Sequence, residues 1–197
     1  MELKLNETPV RTSRNFNINN IKIKDIEING TTKVFKSTQI VGASGVRATV
    51  SDLNLTYGVG KDLEDEVRKN ANQKLQIEIQ NGEDIKIIND FDKDNTNLID
   101  NIEIIVKEGI KANLLIKYKS REDNAYYHNG VIRLKAKKNS NINITIANLL
   151  NTNSDNFISL ENLLEESASV NYNIVDFGGK HSITNYYSNL SRRFCKE

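Results

Sequence analysis

The side chains able to do covalent or metal chemistry are few, and none comes in a set. Cys195 is the one cysteine, beside Arg192, Arg193 and Lys196, cations that favour its thiolate. A thiolate there could take up sulfur or ligate iron, but a cluster is held by several ligands and one cysteine supplies one. With no companion cysteine or acid motif, an incidental cysteine near the chain end is the favoured reading. Cys195 therefore stands as the single candidate for cofactor binding. The two histidines, His128 in "YYHNG" and His181 in "GGKHS", lack a neighbouring Cys or a second His at metal-ligand spacing and read as structural or solvent-facing. "DFDKDNTNLIDN" puts Asp90, Asp92 and Asp94 at positions 1, 3 and 5 of an EF-hand pattern, but Asn95 replaces its Gly and Asn101 its bidentate Glu. An exposed acidic turn is expected there, with no calcium. Gly42, Gly45, Gly58 and Gly60 fit neither the dinucleotide nor the P-loop pattern and read as turn chemistry. The pairs Tyr126–Tyr127 and Tyr186–Tyr187 sit where aromatic residues cover the rim of a core. No catalytic residue and no metal site follows from these residues.

The elements that would carry them are mainly strands. "NINNIKIKDIEI", "KLQIEIQ", "DIKII", "NIEIIV", "ANLLIKY", "GVIRLKAK", "NINITIANL" and "SVNYNIVDF" are short runs rich in β-branched residues, separated by Gly- and Asn-containing turns. One helix interrupts them: "KDLEDEVRKNANQKL", residues 61–75, puts Leu63, Val67, Ala71 and Leu75 on one face, with acids near its start. "DNFISLENLLEES" is ambiguous between helix and strand.

The strands repeat. "KEGIKANLLIKY" from Lys107, "KKNSNINITIAN" from Lys137 and "EESASVNYNIVD" from Glu165 align Ile110, Ser140 and Ala168 in one column, Ala112, Ile142 and Val170 in a second, and Leu114, Ile144 and Tyr172 in a third. Asn113, Asn143 and Asn171 also coincide, at offsets of 30 and 28 residues. Self-similarity at that period marks a solenoid. Carried backward, Gly82, Ile85 and Ile87 match Gly109, Ala112 and Leu114 at an offset of 27, and Gly45, Ala48 and Val50 repeat the pattern again, for five turns. A meander would space its strands about 8 to 12 residues apart and would not need one turn type to return near 30. The expected fold is therefore mainly β, a right-handed parallel β-helix ahead of a β-sandwich, with one inserted or capping helix near residues 61–75. Residues 1–75 would hold N-terminal strands and the capping helix, and residues 76–197 the β-helix core, either as two parts or as one continuous domain.

With 27 Lys and Arg against 26 Asp and Glu, no global field draws the chain to nucleic acid or an anionic membrane. The first twenty residues contain no apolar signal core, and no run approaches the ~20 apolar residues of a membrane span. One cysteine rules out an internal disulfide framework and fits a reducing cytoplasm.

On "VKEGIKANLLIKY", "HNGVIRLKAKKNSNINITIANL" and "LLEESASVNYNIVDFGGKHSITNYYSNL", the chain resembles the SufB/SufD family of iron–sulfur cluster assembly scaffolds, SufD-like, over roughly Ile85 to Leu190. These are packing and turn motifs and carry no active site. The resemblance implies a β-helical, non-enzymatic scaffold component that works in the cytoplasm with a SufC-like ATPase and a SufB-like scaffold subunit. It implies an iron–sulfur cluster at the level of the complex and none bound by this chain alone. Members of the family continue past the equivalent of Leu190 into further coils and a helical region that receives the ATPase, where the cluster-associated Cys, Glu and His residues lie. The chain ends at "SRRFCKE", so the resemblance makes it a fragment or shortened member, and its last strand an open edge able to form a homodimer near Tyr186–Leu190. Two other classes compete: a carbohydrate-binding or polysaccharide-processing β-helix, against which stand the missing export signal and absent Trp, and a purely structural module.

Overall fold

The structure, a computed structural model, describes residues 2–5, 21–24, 26, 33–48 and 58–190. In chain order its elements are β1 (Glu2–Leu5), β2 (Ile21–Lys24), β3 (Thr38–Val41), β4 (Gly45–Arg47), α1 (Lys61–Asn70), β5 (Gln73–Ile79), β6 (Asp84–Phe91), β7 (Asn97–Val106), β8 (Lys111–Ser120), β9 (Tyr127–Ala136), β10 (Asn141–Leu149), β11 (Asp155–Leu164), β12 (Ser169–Asp176) and β13 (His181–Leu190). From β6 onward the strands alternate between two sheets. One runs β12-β10-β8-β6-β3 and the other β13-β11-β9-β7-β5-β4. Pairing is parallel throughout except for β3 and β4, which close the N-terminal edges antiparallel to β6 and β5. This is a mainly β solenoid of about four turns with one short helix.

The repeat read from the sequence is the register of the coils. Ile142 faces Ala112 on one side and Val170 on the other, Asn143 faces Asn113 and Asn171, and Ile144 faces Leu114 and Tyr172. The turn also recurs: Ile110, Ser140 and Ala168 each donate their backbone N–H to the carbonyl three residues back, at Lys107, Lys137 and Glu165. Its third position takes a left-handed φ each time, 71° at Gly109, 59° at Asn139 and 57° at Ser167. Gly bears that conformation freely, Asn tolerably and Ser at a cost.

The backward extension is corrected. Ile85 faces Leu114 and Ile87 faces Ile116, an offset of 29 where 27 was expected. The slip is two residues, and the side-chain period of a strand is two, so both isoleucines still point inward. Gly45 lies in antiparallel β4 opposite Glu78, so the fifth turn is an edge strand and not a coil; Val50 lies outside the described residues. "DNFISLENLLEES" resolves as β11. The helix ends at Asn70, and the chain turns into β5, which takes Leu75.

Two apolar clusters hold the body together. The first fills the solenoid, with Ile87, Ile102, Leu114, Ile116, Ile132, Ile144 and Leu160 among its members. The second lies outside the sheet that contains β7, β9 and β11, where Ile99, Val131 and Phe157 receive Leu63 and Val67 of α1, together with Leu3 and Ile23 from the antiparallel β1–β2 pair. The helix, read as inserted or capping, lies against the side of β7 and β9. The reason is that Ile99, Val131 and Phe157 point outward from β7, β9 and β11 and together form an apolar patch that needs cover. Val170 is only partly buried, unlike Ala112 and Ile142. Among the described residues it sits in the last strand of its sheet, with no further coil over it. Among the described residues no helix is long and apolar enough to cross a membrane.

Candidate functional site: a polar corner inside the solenoid

The alternation that sends Ile and Leu inward also sends several polar side chains inward, all near the corner where one sheet bends into the other. On the first sheet the inward column is Asn89, Tyr118, Asn148 and Asp176. On the second it is Leu98, His128, Asn156 and Ser182, with Asp100 one inward position further along β7. Asp100, His128 and Asn156 have no exposed surface.

They are joined into a line. Tyr118 donates its hydroxyl to Asp100 Oδ2 at 3.1 Å and packs its ring against the His128 ring, centroids 4.0 Å apart. Burial, with the Asp100 carboxylate beside it, pushes the Tyr118 hydroxyl well above its usual pKa. His128 Nε2 lies 3.4 Å from Asp100 Oδ2. Its Nδ1 is 2.6 Å from Asn156 Oδ1, and Asn156 gives its Nδ2 to Ser182 Oγ at 3.2 Å. With the amide N–H group committed to Ser182, the Asn156 oxygen accepts, and Nδ1 donates to it. Ser182 then donates to Asp176 Oδ2, and Asn148 Nδ2 donates to Asp176 Oδ1 and the Gly178 carbonyl at 2.8 Å each. Gly130 makes room for this arrangement: a Cβ there would run into Asp100 Oδ1 and come within 2.8 Å of His128 Nε2. An amide in the middle of the line fixes orientation and cannot relay a proton, so the line positions side chains and does not conduct.

His128 thus takes a buried structural role, inside a strand. His181 pairs through Nδ1 with Asp155 Oδ1 at 2.8 Å near the open end. Asp90, Asp92 and Asp94 do not converge. Asp90 is engaged by Arg121, whose hydrogen bonds hold its carboxyl below the usual range, and by Lys119. Asp92 Oδ1 accepts from the Asp94 and Asn95 backbones. Among the described residues no three His, Cys, Asp or Glu side chains are grouped to hold a metal. Cys195 lies outside the described residues. Outside the solenoid, Glu66 of α1 is buried against β9, where its Oε2 accepts from Tyr127 Oη at 2.5 Å and Asn129 Nδ2 at 2.6 Å. Burial raises its pKa against the effect of those two donors. Sequence reasoning missed both the polar corner and this contact. The one available signal was that "YYHNG" and "NLIDN" continue strands whose alternation makes His128 and Asp100 inward.

No single active-site constellation emerges. The site is an apolar coil stack with one polar seam and two open strands at its far end. No curated protein and no solved structure gives a match. Residues 69–196, the coils and the start of their flanking helix-to-strand turn, match the family described as SUF system FeS cluster assembly, SufBD core domain. With a match over well over half of its length, the chain belongs to the SufBD core family and is a component of the SUF iron–sulfur cluster assembly system.

Proposed function

We propose that the chain is a non-catalytic scaffold that supports cluster assembly through protein partners, in the cytoplasm. The observation that carries this reading is the match of residues 69–196 to the SufBD core. The partners are a SufC-like ATPase and a SufB-like sister scaffold. The open end supports the sister contact: β12 and β13 are the last strands of their sheets, and Ile174, Phe177, Tyr186 and Leu190 on or beside them are exposed. Backbone groups on such edges pair with an incoming strand, so a sister scaffold, or a second copy in a homodimer, extends both sheets there. The cluster belongs to the complex; Cys195 supplies at most one ligand. Residues 76–197 provide the coils in this reading, and residues 1–75 the strands and helix laid against them.

Coexpression with a SufC-like ATPase and a SufB-like subunit, followed by size-exclusion chromatography and anaerobic reconstitution, tests the reading. A stable complex, with cluster absorbance in the complex and none in the isolated chain, is expected. Failure to associate with either partner overturns the scaffold role. A cluster on the monomeric chain that disappears in Cys195→Ser overturns the assignment of the cluster to the complex.

A further inference from the structure

Four buried polar atoms at the polar corner have no hydrogen-bond partner: Gln73 Oε1, Asn89 Nδ2, Asp100 Oδ1 and His128 Nε2. Independent contacts draw them to one place. Gln73 and Asp100 are register partners on β5 and β7, and Asn89 and Tyr118 on β6 and β8. The Thr38 hydroxyl accepts from Gln73 Nε2 and donates to Asn89 Oδ1 at 2.7 Å, which ties the two sheets together in the first coil. Tyr118 ties them one coil on, through Asp100. The place where Gly130 has no Cβ borders Asp100 Oδ1 and His128 Nε2 together. Asp100 Oδ1 and His128 Nε2 thus border one small space, and Gln73 reaches it as the register partner of Asp100, an arrangement that one bridging molecule can serve.

We propose that the solenoid binds a water molecule in its interior at this corner, between Gln73, Asn89, Asp100 and His128. The donor and acceptor pattern selects water. Asn89 Nδ2 must give a proton, while Asp100 Oδ1 and Gln73 Oε1 must receive one. Water accepts from the amide and donates to the two oxygens, which is within the two to four partners an internal water needs. A monovalent cation would satisfy the oxygens but would face the Asn89 N–H group. A dry corner would leave four buried groups unsatisfied, which native interiors avoid. With the water in place the hydrogen-bonded seam runs unbroken from Thr38 beside the first coil to Asp176 at the open end.

The test is a crystal structure of the full chain at a resolution that places ordered waters, with a rubidium-soaked crystal beside it. Expected is a full-occupancy peak within hydrogen-bond distance of Asp100 Oδ1, Asn89 Nδ2 and at least one of the other two atoms, with no rubidium signal. In solution, water-to-protein cross-relaxation at the Tyr118 and His128 rings should persist in Asn143→Ala, on the outer face, and be lost in Gln73→Leu and Asn89→Leu. Side chains that close on one another around an empty corner overturn the proposal, as does a rubidium peak at the site. If the leucine variants fold poorly, the wild-type density alone decides.

Discussion

Truncation of Ile144 and of Val170 to alanine should differ sharply, although both occupy inward columns of adjacent coils. Ile144 is fully buried and lies between Leu114 and Tyr172. Ile144→Ala removes three carbons from a packed interior and leaves a cavity that coils on both sides hold open, for a cost of about 3 to 4 kcal/mol. Val170 lies in β12, with Ile142 on one side and, among the described residues, no strand on the other. Its two lost carbons, worth ~0.8 kcal/mol each when fully buried and about half that here, give a cost near ~1 kcal/mol. Urea unfolding followed by far-UV circular dichroism, at a concentration where sedimentation shows a monomer, measures both, with an unchanged m-value as the condition for comparison. Equal costs would refute the assignment of β12 as an uncovered edge. A cost below ~1 kcal/mol for Ile144→Ala would refute the stacked column itself. If a sister chain pairs with β12, the cost of Val170→Ala should grow with protein concentration while that of Ile144→Ala stays fixed.

Three further outcomes are expected. Burial raises the pKa of Glu66 above its ordinary 4.5, so the folded state holds that proton more tightly than the unfolded chain. The resulting stabilisation is complete below the ordinary value and is lost as pH rises through the raised one. Glu66→Gln should remove this component, seen as a wild-type minus variant difference in urea midpoint that falls from acid pH toward neutrality. Ser167→Gly relieves a left-handed φ of 57° and should stabilise by about 0.5 to 1 kcal/mol after the added flexibility of Gly, read as a rise in Tm. Tyr118→Phe leaves Asp100 Oδ2 without its hydroxyl donor and should cost about 1 to 3 kcal/mol in the same urea assay, with the coil register intact by amide chemical shifts.

The coil stack was legible in the sequence wherever the turn recurred. Ala112, Ile142 and Val170 share a column in the register because parallel coils place the same turn in the same place, and a period near 30 forces like residues over one another. Where the turn chemistry changed, at Asn81–Gly82, sequence matching slipped by two residues; parity preserved the inward faces but not the partners. The family, too, was legible from the packing and turn motifs, and the match over residues 69–196 bears it out. The helix was visible by its spacing, but where it docks was not. That was decided by Ile99, Val131 and Phe157, which sit on three strands about 30 residues apart and form a patch only when the coils stack.

The polar seam lies wholly on the tertiary side. Asp100, Tyr118, His128, Asn156 and Ser182 belong to five different strands, and no local spacing links them. Strand alternation turns His128 inward, but only the stacking of β7 against β9 brings Asp100 to it, beside the side chain that Gly130 lacks. Local sequence sets strand, turn and repeat because those depend on neighbours in the chain. Which polar groups are removed from water, and which partners meet them there, depends on residues brought together between coils, and that was decided by the fold alone.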